Sequence, residues 1–136
     1  MALEDVPIPV KLKLSALWAA LMFCYIYADF FGLFRPGALA DMNQGIIHPF
    51  GPATPGILLG TSLMMAIPSL MVFAPLVMPP AAGRWANLVL GPVYGVIIVL
   101  TMIGAPLYYL FFGAIEVVLS GLIAWHAWSW PRAAST

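Results

Sequence analysis

Four long apolar runs divide the chain, parted by clusters of proline, glycine and polar residues. The first, near Leu14–Phe34, would span about 30 Å at 1.5 Å per residue, the thickness of a bilayer's hydrocarbon core. Arg35-Pro36-Gly37 ends it, because proline and glycine stop helices. The second run lies near Gly56–Val77. Pro68 inside it predicts a kink, and Pro75, Pro79 and Pro80 mark its end. Gly83-Arg84 leads into a third helix near Trp85–Met102. From Asn87 to Trp125 the one charged residue is Glu116. That stretch is too long for one span and suits two, with Gly104-Ala105-Pro106 as the turn. The fourth helix is Leu107–Trp128, closed by Trp130-Pro131-Arg132. The pattern predicts an all-α bundle of four transmembrane helices in a single domain, residues 1–136.

The segments between the runs differ in weight. Met1–Val10 is short, with Glu4 and Asp5, and is broken by Pro7 and Pro9. Residues 36–55 form the longest loop, holding four prolines with Asp41, Asn43, Gln44 and His48. A short interfacial helix is expected over Ala38–Ile47. Two readings fit the loop: a lid over a cavity, since long ordered loops are often functional, or a plain connector lying on the membrane.

Composition supports the membrane reading. Hydrophobic residues make up 63% of the 136 and charged residues 7%, against about 25% charged in soluble domains. The formal net charge is +0, with no basic patch for nucleic acid. Cys24 stands alone, so no internal disulfide can form. The bulky Phe23 before it argues against a lipoprotein signal. Lys11, Lys13 and the later Ala38-Leu39-Ala40 imitate a secretory leader. The first run is nonetheless longer than the 7–15 residues of a leader's apolar region, so it is read as a retained helix.

Basic residues near the span ends set the orientation. With four helices, Lys11, Lys13, Arg84 and Arg132 fall on one side and only Arg35 on the other. Both termini are therefore expected in the cytoplasm, with loop 36–55 outside. Trp18, Trp85, Trp125, Trp128 and Trp130 lie toward the same cytoplasmic face and fit an aromatic belt.

Candidate chemistry centres on two carboxylates. Asp29 lies in the first run and Glu116 in the fourth, where each charged carboxylate costs about 2.5–3.5 kcal/mol near a helix centre. A partner, a proton or a wet cavity must offset that cost. Tyr25 and Asp29 are four apart and share a face, so a phenol could reach the carboxylate. Tyr27 stands between them. Tyr109, Phe112, Glu116 and Ser120 share one stripe. Asp29 lies about 8 Å below the outer end and Glu116 about 13 Å, so both could face one outward-opening cavity. Asn87 and Tyr94 on the third helix complete the set of polar-core or ligand candidates. The alternative reading makes each carboxylate structural, bonded to a tyrosine, an asparagine or the backbone.

Other features read as architecture. Asn87, Gly91 and Gly95, and likewise Gly56 and Gly60, form small-residue faces that let helices approach closely. Arg84 is a topology anchor or the partner of an acidic neighbour or lipid phosphate. Met64, Met65 and Met71 fill space. His48 and His126 fall on opposite sides, so no metal site is expected. No catalytic triad or phosphate loop is present, and no cofactor is implied.

Lys11-Leu12-Lys13-Leu14-Ser15-Ala16-Leu17-Trp18, followed by Tyr25-Ile26-Tyr27-Ala28-Asp29, resembles the opening of a family of small bacterial four-helix membrane proteins of unknown function. Arg84-Trp85-Ala86-Asn87, Tyr108-Tyr109-Leu110-Phe111-Phe112 with Glu116, and Trp125-His126-Ala127-Trp128-Ser129-Trp130 are similar too. The resemblance covers most of the chain. It implies a four-helix fold and a bacterial inner membrane. It also implies that Tyr27, Asp29, Arg84, Asn87, Tyr109 and Glu116 are family features of unknown role.

Three functions compete. In the leading one, the protein is non-enzymatic and binds a small amphiphile or lipid in an outward-facing cavity, or serves as a subunit of a membrane assembly. In the second it is a proton-coupled transporter acting as an oligomer, because four helices seldom enclose a path alone. In the third it is a membrane enzyme with Asp29 and Glu116 as acid and base. The expected partners are membrane lipids, further copies of the chain or a larger membrane complex, and not nucleic acid.

Overall fold

The computed structural model describes residues 1–135. It is mostly helical, with three helices long and apolar enough to cross a membrane: α1 (Val10–Gly32), α5 (Pro80–Met102) and α6 (Leu107–Trp128). Between α1 and α5 lie α2 (Ala38–Asn43), β1 (Ile46–Ile47), β2 (Gly51–Pro52), α3 (Pro55–Leu70) and α4 (Ala74–Val77).

Proline places most of the helix starts. Pro9 is extended, and its carbonyl accepts from Leu12 and Lys13 N–H at 3.1 Å, so α1 begins at Val10, a turn before the run near Leu14–Phe34. It stops at Gly32 because residues 33–35 turn. Pro79 is likewise extended, and Pro80 takes the first position of α5, where its missing N–H is harmless. Gly83 and Arg84, expected in a connector, therefore sit in the early turns of a helix.

The loop after α1 is more structured than its sequence suggests. Instead of a helix over Ala38–Ile47, α2 stops at Asn43 and Gly45 turns the chain with φ 71°. A small antiparallel hairpin follows, with Ile46 opposite Pro52 and Ile47 opposite Gly51. Gly51 also takes a positive φ, 85°, a conformation that costs glycine little.

The second run breaks rather than kinks. Pro68 stays inside α3, and the helix ends at Leu70 before resuming as α4. Pro68 has no N–H for the Met64 carbonyl; the Tyr94 hydroxyl donates to that carbonyl instead, at 2.6 Å. Within the break, the Val72 carbonyl accepts from Ser15 Oγ at 2.6 Å. At the end of α4, Met78 O accepts from Lys11 Nζ at 2.7 Å. These three carbonyls, at Met64, Val72 and Met78, thus find side-chain donors on neighbouring elements. The hydroxyls of Thr61, Ser62 and Ser69 bond back to carbonyls of their own helix, which satisfies them in apolar surroundings.

Helices α1, α5 and α6 form the tight part of the bundle, with α4 and α3 packed on α1. Gly91 sets the α5–α6 approach: a Cβ there would lie 3.0 Å from Ile123 Cγ2 and 3.3 Å from the Ala124 nitrogen. Gly95 faces Ser120 in the same way. Gly60 does not follow, since it lies on an exposed side of α3 and a Cβ there would meet nothing within 4 Å. Trp18, expected in an interfacial belt, is instead fully buried in a core with Leu14, Leu21, Tyr94, Ile98 and Ile123. Its position in α1 turns it toward α5, where Nε1 donates to Asn87 Oδ1 at 2.7 Å. Trp85, Trp125 and Trp128 are exposed. So are large apolar side chains on the outward side of every long helix, among them Leu59, Leu63, Val93, Val96 and Leu122.

Candidate ligand cavity

A cavity of about 810 Å³ lies between α3 and the α1–α5–α6 group. It falls within the roughly 300–1,000 Å³ range of small-molecule sites. It exists because α3 stands off from α5 and α6, which pack through their glycine face. Met64 and Met65 of α3 and Ile97 and Ile98 of α5 give it an apolar wall. Tyr25 and Asp29 from α1, Tyr94 from α5, and Tyr109 and Glu116 from α6 give it a polar one. The hairpin residues Ile47, His48, Pro49 and Phe50 line its end, together with Arg35.

Five of the seven candidate residues therefore meet at one place. Glu116 is 4% exposed, on the buried stripe Gly113–Glu116–Ser120–Ile123–Ala127 of α6. Its carboxylate has no hydrogen-bond partner among the described residues. Asp29 is exposed toward the cavity, near the hairpin end of α1. The expected Tyr25–Asp29 bond is not made: the Tyr25 hydroxyl is buried without a partner. Tyr94 presents its ring to the site while its hydroxyl is held by Met64 O.

The other two candidates lie elsewhere. Tyr27 is 51% exposed on the outer face of α1 and does not line the cavity. Two residues along a helix turn the side chain by about 200°, so it points away from Tyr25. Asn87 is fully buried and already bonded, accepting from Trp18 Nε1 and donating to Gly83 O at 2.7 Å. It locks α1 to α5 and has no capacity turned toward the cavity.

Charge partners are few. Arg84 Nε donates to Ala127 O at 3.1 Å, and its guanidinium lies 5.7 Å from the Trp85 ring and 5.8 Å from the Trp128 ring. A cation on the last carbonyls of α6 suits the negative end of that helix. Among the described residues its hydrogen-bond partner is backbone and not an acidic neighbour. The one side-chain ion pair among the described residues is His48 Nε2 with Asp41 Oδ2, at 2.9 Å and exposed. Neither cavity carboxylate is paired among the described residues. Among the described residues no three His, Cys, Asp or Glu side chains gather in a set able to hold a metal ion.

Sequence reasoning missed Arg35, His48 and Thr101 as wall residues. The signal for the first two was the long proline-rich loop, whose lid reading brings its residues over a cavity. Thr101 carried no signal, since a threonine late in an apolar helix reads as an ordinary back-bonded hydroxyl.

No curated protein and no solved structure matches this chain. A family described as a family of unknown function, DUF6326, matches residues 9–136. That match takes in every helix and every wall residue of the cavity, and the chain belongs to this family.

Proposed function

We propose that the chain is a four-span protein of the bacterial cytoplasmic membrane that holds a small amphiphile in the cavity beneath the hairpin. The observation that carries this reading is the mixed lining of the cavity, in which methionines and isoleucines stand beside tyrosines and carboxylates. Such a site fits a molecule with a polar head and an apolar body. The apolar outer faces of the helices favour a bilayer around it. The fourth span combines α3 and α4. At 16 residues α3 covers about 24 Å, short of the hydrocarbon core, and α4 carries the chain onward. Lys11, Lys13, Arg84 and Arg132 favour the end that holds the termini as the cytoplasmic one, with the hairpin outside.

Binding is tested by filling the cavity. Thr61→Trp places an indole in it from α3. Native mass spectrometry of gently purified protein should find a retained amphiphile on the wild type and none on this variant, with thermal stability little changed. Equal retention by both would sink the reading. Reporter fusions at the C-terminus and between Phe50 and Gly51 test the topology. A periplasmic signal from the C-terminal fusion would reverse it.

A further inference from the structure

Resting on the amphiphile reading, we propose that the cavity selects a lipophilic monocation, with a quaternary or protonated ammonium head held against Glu116. Glu116 is over nine-tenths buried, faces the cavity and has no hydrogen-bond partner among the described residues. An uncompensated charge is costly to bury, and a neutral head can donate hydrogen bonds to this carboxylate but brings no opposite charge. An ammonium head supplies the missing partner. Asp29 adds a second carboxylate to the cavity lining.

The basic groups of the protein do not fill the role. Lys11 is bonded to Met78 O and Arg84 to Ala127 O, both away from the cavity. His48 is paired with Asp41, which leaves its ring at the cavity end. Arg35 lines that end but forms no ion pair with either carboxylate. Arg35 also bars a second cation there, which argues for a single positive charge on the ligand.

The tyrosines point the same way. Tyr94 cannot offer its hydroxyl, which is held by Met64 O, so it offers its ring. The face of an aromatic ring attracts a cation, and more so out of water. Tyr25 and Tyr109 bring two further rings to the same wall. An anion would meet two carboxylates, Glu116 and Asp29. The apolar wall of Met64, Met65, Ile97 and Ile98 receives the chain or ring of the ligand.

The test uses the full chain in phosphatidylcholine nanodiscs, with calorimetric titrations corrected against empty discs. The probes are decyltrimethylammonium, decyl glucoside and decyl sulfate, which share one alkyl chain. Decyltrimethylammonium should saturate a single site about tenfold or more tighter than the glucoside, with the sulfate weakest. Glu116→Gln should erase that preference and leave the glucoside unchanged. Asp29→Asn, exposed and nearer water, should lower cation affinity by about threefold. Equal binding of cation and glucoside, a preference for the sulfate, or a preference that survives Glu116→Gln would overturn the charge selection while leaving amphiphile binding intact. Saturation by none of the three would overturn both readings. Should Glu116→Gln fail to fold, the ranking of probes on the wild-type protein decides alone.

Discussion

Asn87 shows how one buried polar side chain can hold two helices in register. It accepts from Trp18 on α1 and donates to Gly83 one turn back on α5. Asn87→Leu removes both bonds and leaves the indole N–H unpaired in the core, at a cost of about 1–3 kcal/mol. Reversible unfolding in mixed micelles should register that loss, whereas Tyr27→Phe, on the outer face, should change stability by less than about 0.5 kcal/mol. Tyr94→Phe removes the donor to the Met64 carbonyl and should cost about 1–2 kcal/mol by the same measurement. At this scale the carboxylates were legible, because a charge in an apolar run must be explained. Helical geometry could also have parted Tyr27 from Tyr25. The bond between Trp18 and Asn87 was not legible, since it depends on which faces of two distant helices meet.

Among the elements, the three long helices were easier to read than their limits. Apolar runs located the helices, but the prolines before α1 and α5 lengthened both toward their N-termini. The broken second run was marked by Pro68 and Pro75, yet the position of the break depends on donors from outside. Tyr94 and Ser15 reward carbonyls that a continuous helix would have used. The glycine faces were equally readable as motifs, and only one of them proved to be a contact. Gly91 lies against α6 and Gly60 against nothing. Gly91→Val should therefore force α5 and α6 apart and destabilise the protein by about 1–3 kcal/mol. Gly60→Ala should be neutral or slightly stabilising, since alanine favours helix by up to about 1 kcal/mol. Paired unfolding curves of the two variants separate a packing glycine from an idle one.

Across the whole molecule, what sequence could not supply was the gap. Periodicity assigns faces to helices one at a time. A cavity arises from unequal spacing among them, here from a close α5–α6 pair beside a distant α3. The hairpin over its end comes from Gly45 and Gly51, whose positive φ values redirect a segment that reads as helix. The lid reading of that loop gains its meaning only once there is something beneath it.

The way α3 is fastened has a mechanical consequence. Its C-terminal half is tied by Tyr94 to Met64 O, and the segment beyond it by Ser15 and Lys11. Its N-terminal half bonds only within its own helix or to its cap, with no side-chain hydrogen bond to another helix among the described residues. By its side-chain hydrogen bonds the helix is thus a cantilever, clamped at one end and joined at the other only through the hairpin. An outward swing of that end would rupture no side-chain hydrogen bond to another helix and would open a slit between α3 and its neighbours. Hydrogen–deuterium exchange should accordingly fall along the helix, fastest over residues 57–63 and slowest past Met64, and Tyr94→Phe should flatten that gradient by loosening the clamp. A ligand arriving from the membrane would then reach the carboxylates sideways, past a moving helix, without first crossing water.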